Sequence, residues 1–398
     1  MAALLRQADD PMLLSATILG LSLTAVQDAL PPQDAVPVVY EPRHMGGADL
    51  ATGLYVRRDD DVVINGAPLL ILRRTYLAGY RTSKQFGIGT THDGEIYLHG
   101  DFQQISLIQA DGSRILFRRR PGEPSIFKAV WVHDSGPSEW LDAEMRFALF
   151  GWKIRRRDGS ELAFQSCGPG TKVTTCSIVQ SKDPQGRSIN YRRDFEGRLV
   201  RMEADSDRWI AFDYDSRNRI TRARGSDGAI VEYQYDAAGR LWQAFATDGR
   251  VHRYLYNDRD ELVRIFDPGH TLENRYDANG RMVHQVNRFA GDPEPLIFTF
   301  SYDLRDGKVV RTESTRSDGE SSRYEFNKDS QTVSMEWRVN GRHLATLEFE
   351  RQPVSQVLTA ITVSCQEEPA RRRTYPPPPD DDRRGHMRLV YTCLPASR

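Results

Sequence analysis

The sequence predicts an all-β protein, an antiparallel ribbon of β-hairpins curved into a partial shell and preceded by a strand-rich domain. Three observations predict it. An aromatic residue followed by Asp or Asn recurs at Tyr214-Asp215, Tyr235-Asp236, Tyr256-Asn257, Tyr276-Asp277, Tyr302-Asp303 and Phe326-Asn327, at intervals of 21, 21, 20, 26 and 24 residues. Turn signals return about every ten residues, the second of each pair being Ser226-Asp227-Gly228, Thr247-Asp248-Gly249 or Ser317-Asp318-Gly319. Between the turns, apolar and polar residues alternate with the period of a strand.

The unit is clearest at Val231 to Phe245, where Val231-Glu232-Tyr233-Gln234-Tyr235 enters a turn at Asp236-Ala237-Ala238-Gly239 and Arg240 to Phe245 leaves it. The Asp side chain can bond its own backbone to start such a turn, and the Gly supplies a positive φ. An earlier, degenerate copy sits at Arg193-Asp194. Alternation places Phe212/Tyr214, Tyr233/Tyr235, Tyr254/Tyr256, Phe300/Tyr302 and Tyr324/Phe326 on one face. On the strands leaving the turn it places the second and fourth residues on the apolar face, as in Val200/Met202, Trp242/Ala244 and Val263/Ile265, and the third (Arg201, Arg222, Gln243, Arg264, His284) on the polar one.

Ala48 to Phe164 is also strand-rich, punctuated by Asn65-Gly66, Asp93-Gly94, Asp111-Gly112 and Asp158-Gly159. Beyond the repeats, Val357 to Cys365 and Met387 to Cys393 read as strands. Glu367 to Gly385 between them, with Arg371 to Arg373, Pro376 to Pro379 and Asp380 to Asp382, reads as a solvated loop. The expected organisation is 1–45 signal peptide and linker, 46–170 N-terminal β domain, 185–350 repeats and 351–398 C-terminal strands.

Composition narrows the partners. With 54 basic and 55 acidic residues the chain has no global pull towards nucleic acid or anionic membrane, and no run is long enough to be an integral membrane span. Met12 to Val26 reads as a secretory h-region ending at Leu23-Thr24-Ala25, or as an N-terminal helix packed on the body. Cysteine spacing bears on the same choice between a secreted, periplasmic or cell-surface location and the cytoplasm. Cys167 and Cys176 bracket Gly168-Pro169-Gly170, where a bridge closes easily, while Cys365 and Cys393 form a distant pair. If those two strands formed a simple hairpin, Cys365 and Cys393 would be roughly 20 Å apart, so a bond between them requires the last strand to run parallel or to pair elsewhere.

Tyr235-Asp236-Ala237-Ala238-Gly239-Arg240-Leu241 and Tyr276-Asp277-Ala278-Asn279-Gly280-Arg281-Met282 resemble the Y-D-x-x-G-R-L repeat of the RHS/YD-repeat family. Asp49 to Gly53, Ala67 to Tyr76, Phe86 to Gly89 and Asp111 to Phe117 resemble the domain that precedes the repeats in bacterial members. The resemblance implies a β-sheet wound into a shell that encloses a toxin or presents a cell-contact surface. This chain has about seven repeats where known shells have many more, and Asp267-Pro268-Gly269, which echoes part of the family's self-cleaving segment, lies in mid-array and reads as a turn.

No nucleophile elbow, zinc-protease helix motif, phosphate loop or metal-spaced His set is present, so no catalytic residue, metal or cofactor is assigned, and His252 and His284 read as ordinary sheet-surface residues. The expected function is a non-enzymatic scaffold for a protein or carbohydrate at the cell surface, with Tyr233, Tyr235, Tyr254, Tyr256 and Trp242 as binding residues. The alternative is a truncated or split component of a polymorphic-toxin delivery shell, completed by another repeat-containing chain.

Overall fold

The computed structural model describes residues 44–374, apart from 136–139, 149–150, 168–171, 205–206, 354–355, 357 and 366–370. The segment Met12–Val26 and the stretch Met387–Cys393 lie outside the described residues. Among the described residues the regular structure is almost entirely strand, with a 3-10 turn at Asp93–Glu95.

One strand, Lys172–Lys182, organises the whole. Its first half pairs with Tyr97–Asp101, Cys176 lying opposite Leu98, and its second half pairs with both Glu161–Gln165 and Ser188–Arg193. The first pairing closes the antiparallel strands from Tyr97–Asp101 to Lys172–Lys182 into an eight-stranded barrel. Trp131, Trp152, Phe117 and Phe164 are fully buried, and Trp131 meets Trp152 edge to face at 5.0 Å between ring centroids. Cys167, just after the Glu161–Gln165 strand, is bonded to Cys176 beside the seam. From the same strand a ribbon of antiparallel hairpins runs on, neighbour to neighbour, to Arg371–Thr374.

Each part of the repeated motif has a separate physical task. Asp236 Oδ1 accepts from the backbone N–H of Arg240 at 2.9 Å and its Oδ2 accepts from Arg240 Nε at 2.7 Å, so one carboxylate ties both ends of the turn. Asp194 with Arg198 and Asp215 with Arg219 repeat this bonding. Gly239 sits at φ 92°, the left-handed region, and Asn218 and Asp260 hold the same place in their turns at φ 60° and 61°. The tyrosine then reaches back one repeat. The hydroxyls of Tyr214, Tyr235, Tyr256, Tyr276 and Tyr302 donate to the carbonyls of Leu199, Ile220, Leu241, Leu262 and Met282, all at 2.6–2.8 Å. Arg219 stacks over the next repeat's Tyr235 ring at 4.2 Å, and Arg198 and Arg240 treat Tyr214 and Tyr256 likewise.

Two expectations are corrected. Strict alternation put Val200, Trp242 and Val263 on the apolar face, but at each of them the register skips a residue: Gln234 faces Gln243 and Tyr235 faces Leu241, leaving Trp242 without a partner. A bulge of this kind inserts one residue and resets the faces. Trp242 is 39% exposed on the outer surface, while Leu241 and Ala244 are buried. The second correction concerns the Glu367–Gly385 stretch, expected to be loop. Arg371–Thr374 is a strand, antiparallel to Leu358–Cys365 with Ile361 opposite Arg373. Ladder hydrogen bonds come from the backbone, so a strand at the edge needs no apolar sequence to form.

Replacing Gly239 by Ala tests the turn. The added Cβ would meet nothing nearer than an Arg219 nitrogen at 3.8 Å, so the cost is that of the left-handed backbone alone, about 1–2 kcal/mol. Urea unfolding should show a lowered midpoint at unchanged slope; an unchanged midpoint would remove the glycine from the motif's logic.

Candidate functional site

The inner face of the ribbon is a wall of aromatic rings, with Phe212, Tyr233, Tyr254, Phe300 and Tyr324 all buried. What covers it is the chain's own residues 44–96, chiefly a three-stranded sheet of Val56–Ile64, Leu70–Leu77 and Thr90–His92. The fit is bonded as well as packed. The bulges leave inward-pointing amides on the ribbon, and the inner segment satisfies them. Ile220 N donates to the Gln85 carbonyl at 2.7 Å, Leu262 N to the Tyr76 hydroxyl at 3.1 Å, and Met282 N to the Gly53 carbonyl at 2.8 Å. Gly87 approaches the ribbon so closely that a Cβ there would lie 2.4 Å from the Gly239 carbonyl oxygen.

At the centre of this junction is a buried charge network. Strand Val56–Ile64 bulges at Asp61; Asp59 and Asp61 both face the wall, while Asp60 between them pairs with Arg73 on the exposed side. Arg74, on the paired strand, binds Asp61 through two bonds of 2.5 and 2.8 Å, and its guanidinium lies over Phe86, Tyr233 and Tyr254. The wall answers through its tyrosines, with Tyr233 donating to Asp61 at 2.7 Å and Tyr254 to Asp59 at 3.2 Å. Arg57 bridges Asp59 at 2.6 Å and Asp267 of the ribbon at 2.7 Å. His252 Nδ1 at 2.7 Å and His270 Nε2 at 3.1 Å complete the surroundings of Asp267.

The electrostatics follow from these contacts. Burial works against ionised Asp59 and Asp267, but Arg74 and Arg57 outweigh it at the first, and the His252 hydrogen bond and Arg57 outweigh it at the second. Both carboxyls are held low, Asp267 at about 2. Burial pushes the phenols of Tyr233 and Tyr254 up, so they remain donors. A buried pair adds little to stability against an apolar replacement, whereas removing one partner strands the other. The network therefore fixes which part of the inner segment meets which repeat.

The five aromatics read from the sequence separate into three groups. Tyr233 and Tyr254 are buried and bonded to the inner segment, Tyr235 and Tyr256 are half-buried and join repeat to repeat, and Trp242 alone of the five stands on the outer face. His252, expected on the sheet surface, turns inward to Asp267 because the ribbon places a carboxylate opposite it. Sequence reasoning missed Arg57, Asp59, Asp61 and Arg74. Their signal was a strand carrying three successive Asp opposite Arg73 and Arg74, a charge density that a solvated edge does not need. Among the described residues no group of three or more His, Cys, Asp or Glu is arranged to hold a metal ion, and no helix is long and apolar enough to cross a membrane.

These features define the class: a β-ribbon of tyrosine-aspartate hairpins wound over its own N-terminal strands. Residues 214–250 match the family described as RHS Repeat and residues 48–117 match Domain of unknown function (DUF6531). The matched residues 48–117 include most of the segment that lines the ribbon. No curated protein matches. Among solved structures, the chain is similar to TcdB2-TccC3-TEV (12% identity, TM-score 0.37, covering 81% of this chain and 22% of that one). It is also similar to the Photorhabdus luminescens Tc holotoxin pore (14% identity, TM-score 0.36, covering 81% and 20%). The chain thus spans about a fifth of the length of these structures.

Two measurements probe the junction. Arg74→Leu leaves Asp61 and Asp59 buried without their cation, and a loss of about 3–5 kcal/mol in denaturant unfolding is expected; a loss under 1 kcal/mol would show that the network is wet. His92 packs edge to face on Phe86, bonds Gln85 and accepts from Gly94 N, and burial, reinforced by Arg193, pushes it from 6.5 down to about 3. The folded chain refuses a proton that the unfolded chain takes. Stability from this group is therefore full above about pH 6.5 and is lost as the pH falls from there to about 3, at up to about 1.4 kcal/mol per pH unit. In His92→Asn that part of the slope disappears, which urea midpoints measured at pH 7.5 and 5.0 will report.

Proposed function

We propose that this protein is an RHS-type, non-enzymatic scaffold that binds a protein or glycan partner through its outer face. The observation that carries the reading is the covered inner wall. Tyr233, Tyr254 and the ionisable groups around them are consumed in holding residues 44–96, which leaves the outer surface for partners. On that surface Trp242 is an exposed large aromatic raised at a bulge, the type of side chain that anchors interfaces and sugar rings. In this reading residues 46–170 form the N-terminal domain, 185–350 the repeats and 351–398 the C-terminal strands. The Cys167–Cys176 bond supports an oxidising location, secreted, periplasmic or at the cell surface.

A second reading has one observation in its favour. Among the described residues, Arg371–Thr374 is paired along one side only, a position at which a strand from another repeat-containing chain could extend the ribbon. The protein would then be one component of a larger toxin-delivery shell.

A pull-down from the native cell envelope, followed by titration of the captured partner, tests the first reading. Trp242→Ala is expected to weaken binding by about 10–100-fold, the effect of losing an aromatic anchor, with the unfolding midpoint unchanged. Capture of a repeat-containing chain that Trp242→Ala does not affect would favour the second.

A further inference from the structure

The seam that closes the barrel is short. Tyr97–Asp101 meets the first half of Lys172–Lys182 at four positions, with Asp101 opposite Lys172, Gly100 opposite Val173, Leu98 opposite Cys176 and Tyr97 opposite Ser177. On the other flank of Lys172–Lys182, the described pairing with Glu161–Gln165 stops at Phe164 opposite Ile178. Beyond that point the Cys167–Cys176 bond ties the two chain segments together.

The seam also contains a bulge. Between Val173 and Cys176 two residues, 174 and 175, stand against His99 alone. Thr175, next to Cys176, has φ 51°, in the left-handed region that a β-branched residue avoids. This bulge decides which side chains enter the core. Val173, Cys176 and Ile178 are fully buried, whereas regular alternation back from Cys176 would send position 174 inwards and turn Val173 out. Burial of Val173 favours the bulged register and the backbone of Thr175 opposes it, and the two effects are of comparable size. The bond at Cys176 tips the balance, because it fixes the residue beside Thr175.

What the seam holds is the end of the inner segment. Tyr97–Asp101 follows that segment directly, and Ile178 N donates to the Ile96 carbonyl at 3.2 Å. Cys176 is buried and Cys167 half-buried, so a thiol from solution reaches Sγ of Cys167 first.

We propose that the Cys167–Cys176 bond is a redox clasp: thiol exchange at Cys167 frees the Thr175 backbone, the seam loses its register, and the anchored end of the inner segment is released. The reductant is a small thiol such as glutathione. Its thiolate forms a bond to Cys167 Sγ, the Cys167–Cys176 bond breaks, and the electron pair leaves on Cys176 Sγ. A second thiolate attacks the glutathione sulfur of the mixed disulfide, giving glutathione disulfide and expelling Cys167. The two protons of the reductant end on the two cysteines. The clasp works whichever partner the outer face holds.

Hydrogen exchange read by mass spectrometry tests it in the full chain carrying Cys365→Ser and Cys393→Ser, which leaves Cys167 and Cys176 as the only cysteines. The unsubstituted chain, reduced in parallel, reports the same peptides if the serine pair fails to fold. On reduction with glutathione, exchange across Tyr97–Asp101 is expected to quicken about tenfold or more, while that of Ile230–Tyr235 in the ribbon stays the same. In Thr175→Gly, whose backbone enters the left-handed region freely, the reduced chain is expected to keep the protection of the oxidised one. Peptide mapping after brief exposure is expected to find glutathione on Cys167. A bond that glutathione leaves intact, or unchanged exchange after reduction, would overturn the proposal. So would equal opening of the seam in reduced Thr175→Gly, loss of protection throughout the ribbon, or glutathione on Cys176 alone.

Discussion

Everything in this molecule depends on the backbone hydrogen bonds that the ribbon cannot make with itself. A ladder interrupted by a bulge in every repeat leaves amides pointing inward, and an unpaired amide beneath a wall of aromatic rings would cost on the order of 1–3 kcal/mol. Residues 44–96 remove that cost at Ile220, Leu262 and Met282. The hydrophobic effect brings the inner segment and the wall together, since both are rich in large apolar side chains. Directional bonds from Gln85, Tyr76 and Gly53 then determine where along the ribbon each part of that segment sits.

Within the ribbon, order passes from one repeat to the next. The Asp and Arg of a repeat shape its turn, the Arg lies on the following tyrosine, and that tyrosine returns a hydrogen bond to the preceding strand. Each contact is local in space and spans about one period of sequence. Stability of this kind grows by nearest-neighbour terms, as in other repeat proteins. The barrel differs, because closure through Lys172–Lys182 joins strands far apart in sequence and is shared with the first ribbon hairpin.

Much of this was legible in the sequence. The period of the Tyr-Asp pairs gave the hairpins, and the aromatic alternation gave the inner face, because both depend on rules that act within a few residues. The bulge was not legible: Leu241-Trp242-Gln243 reads as simple alternation, and only the cross-strand register reveals the skipped residue that turns Trp242 outward. Nor was the junction, since Asp61 and Tyr233 lie 172 residues apart and nothing local marks them as partners. The strand at Arg371–Thr374 escaped notice for a third reason, because its pairing is made by backbone and its sequence is that of a solvated segment.

The inner segment touches the ribbon at fixed stations, Gly94 at Arg193, Gln85 at Ile220, Asp61 at Tyr233, Arg57 at Asp267 and Leu50 at Thr312. It is therefore a ruler laid along the repeats. A tandem array can gain or lose whole units at little cost to its own geometry, yet here each unit inserted between two stations would separate contacts that the ruler holds at a set distance. Growth of the array is free only beyond the last station. The number of repeats under the segment is thus fixed by the segment, and variation in length belongs at the far end of the ribbon.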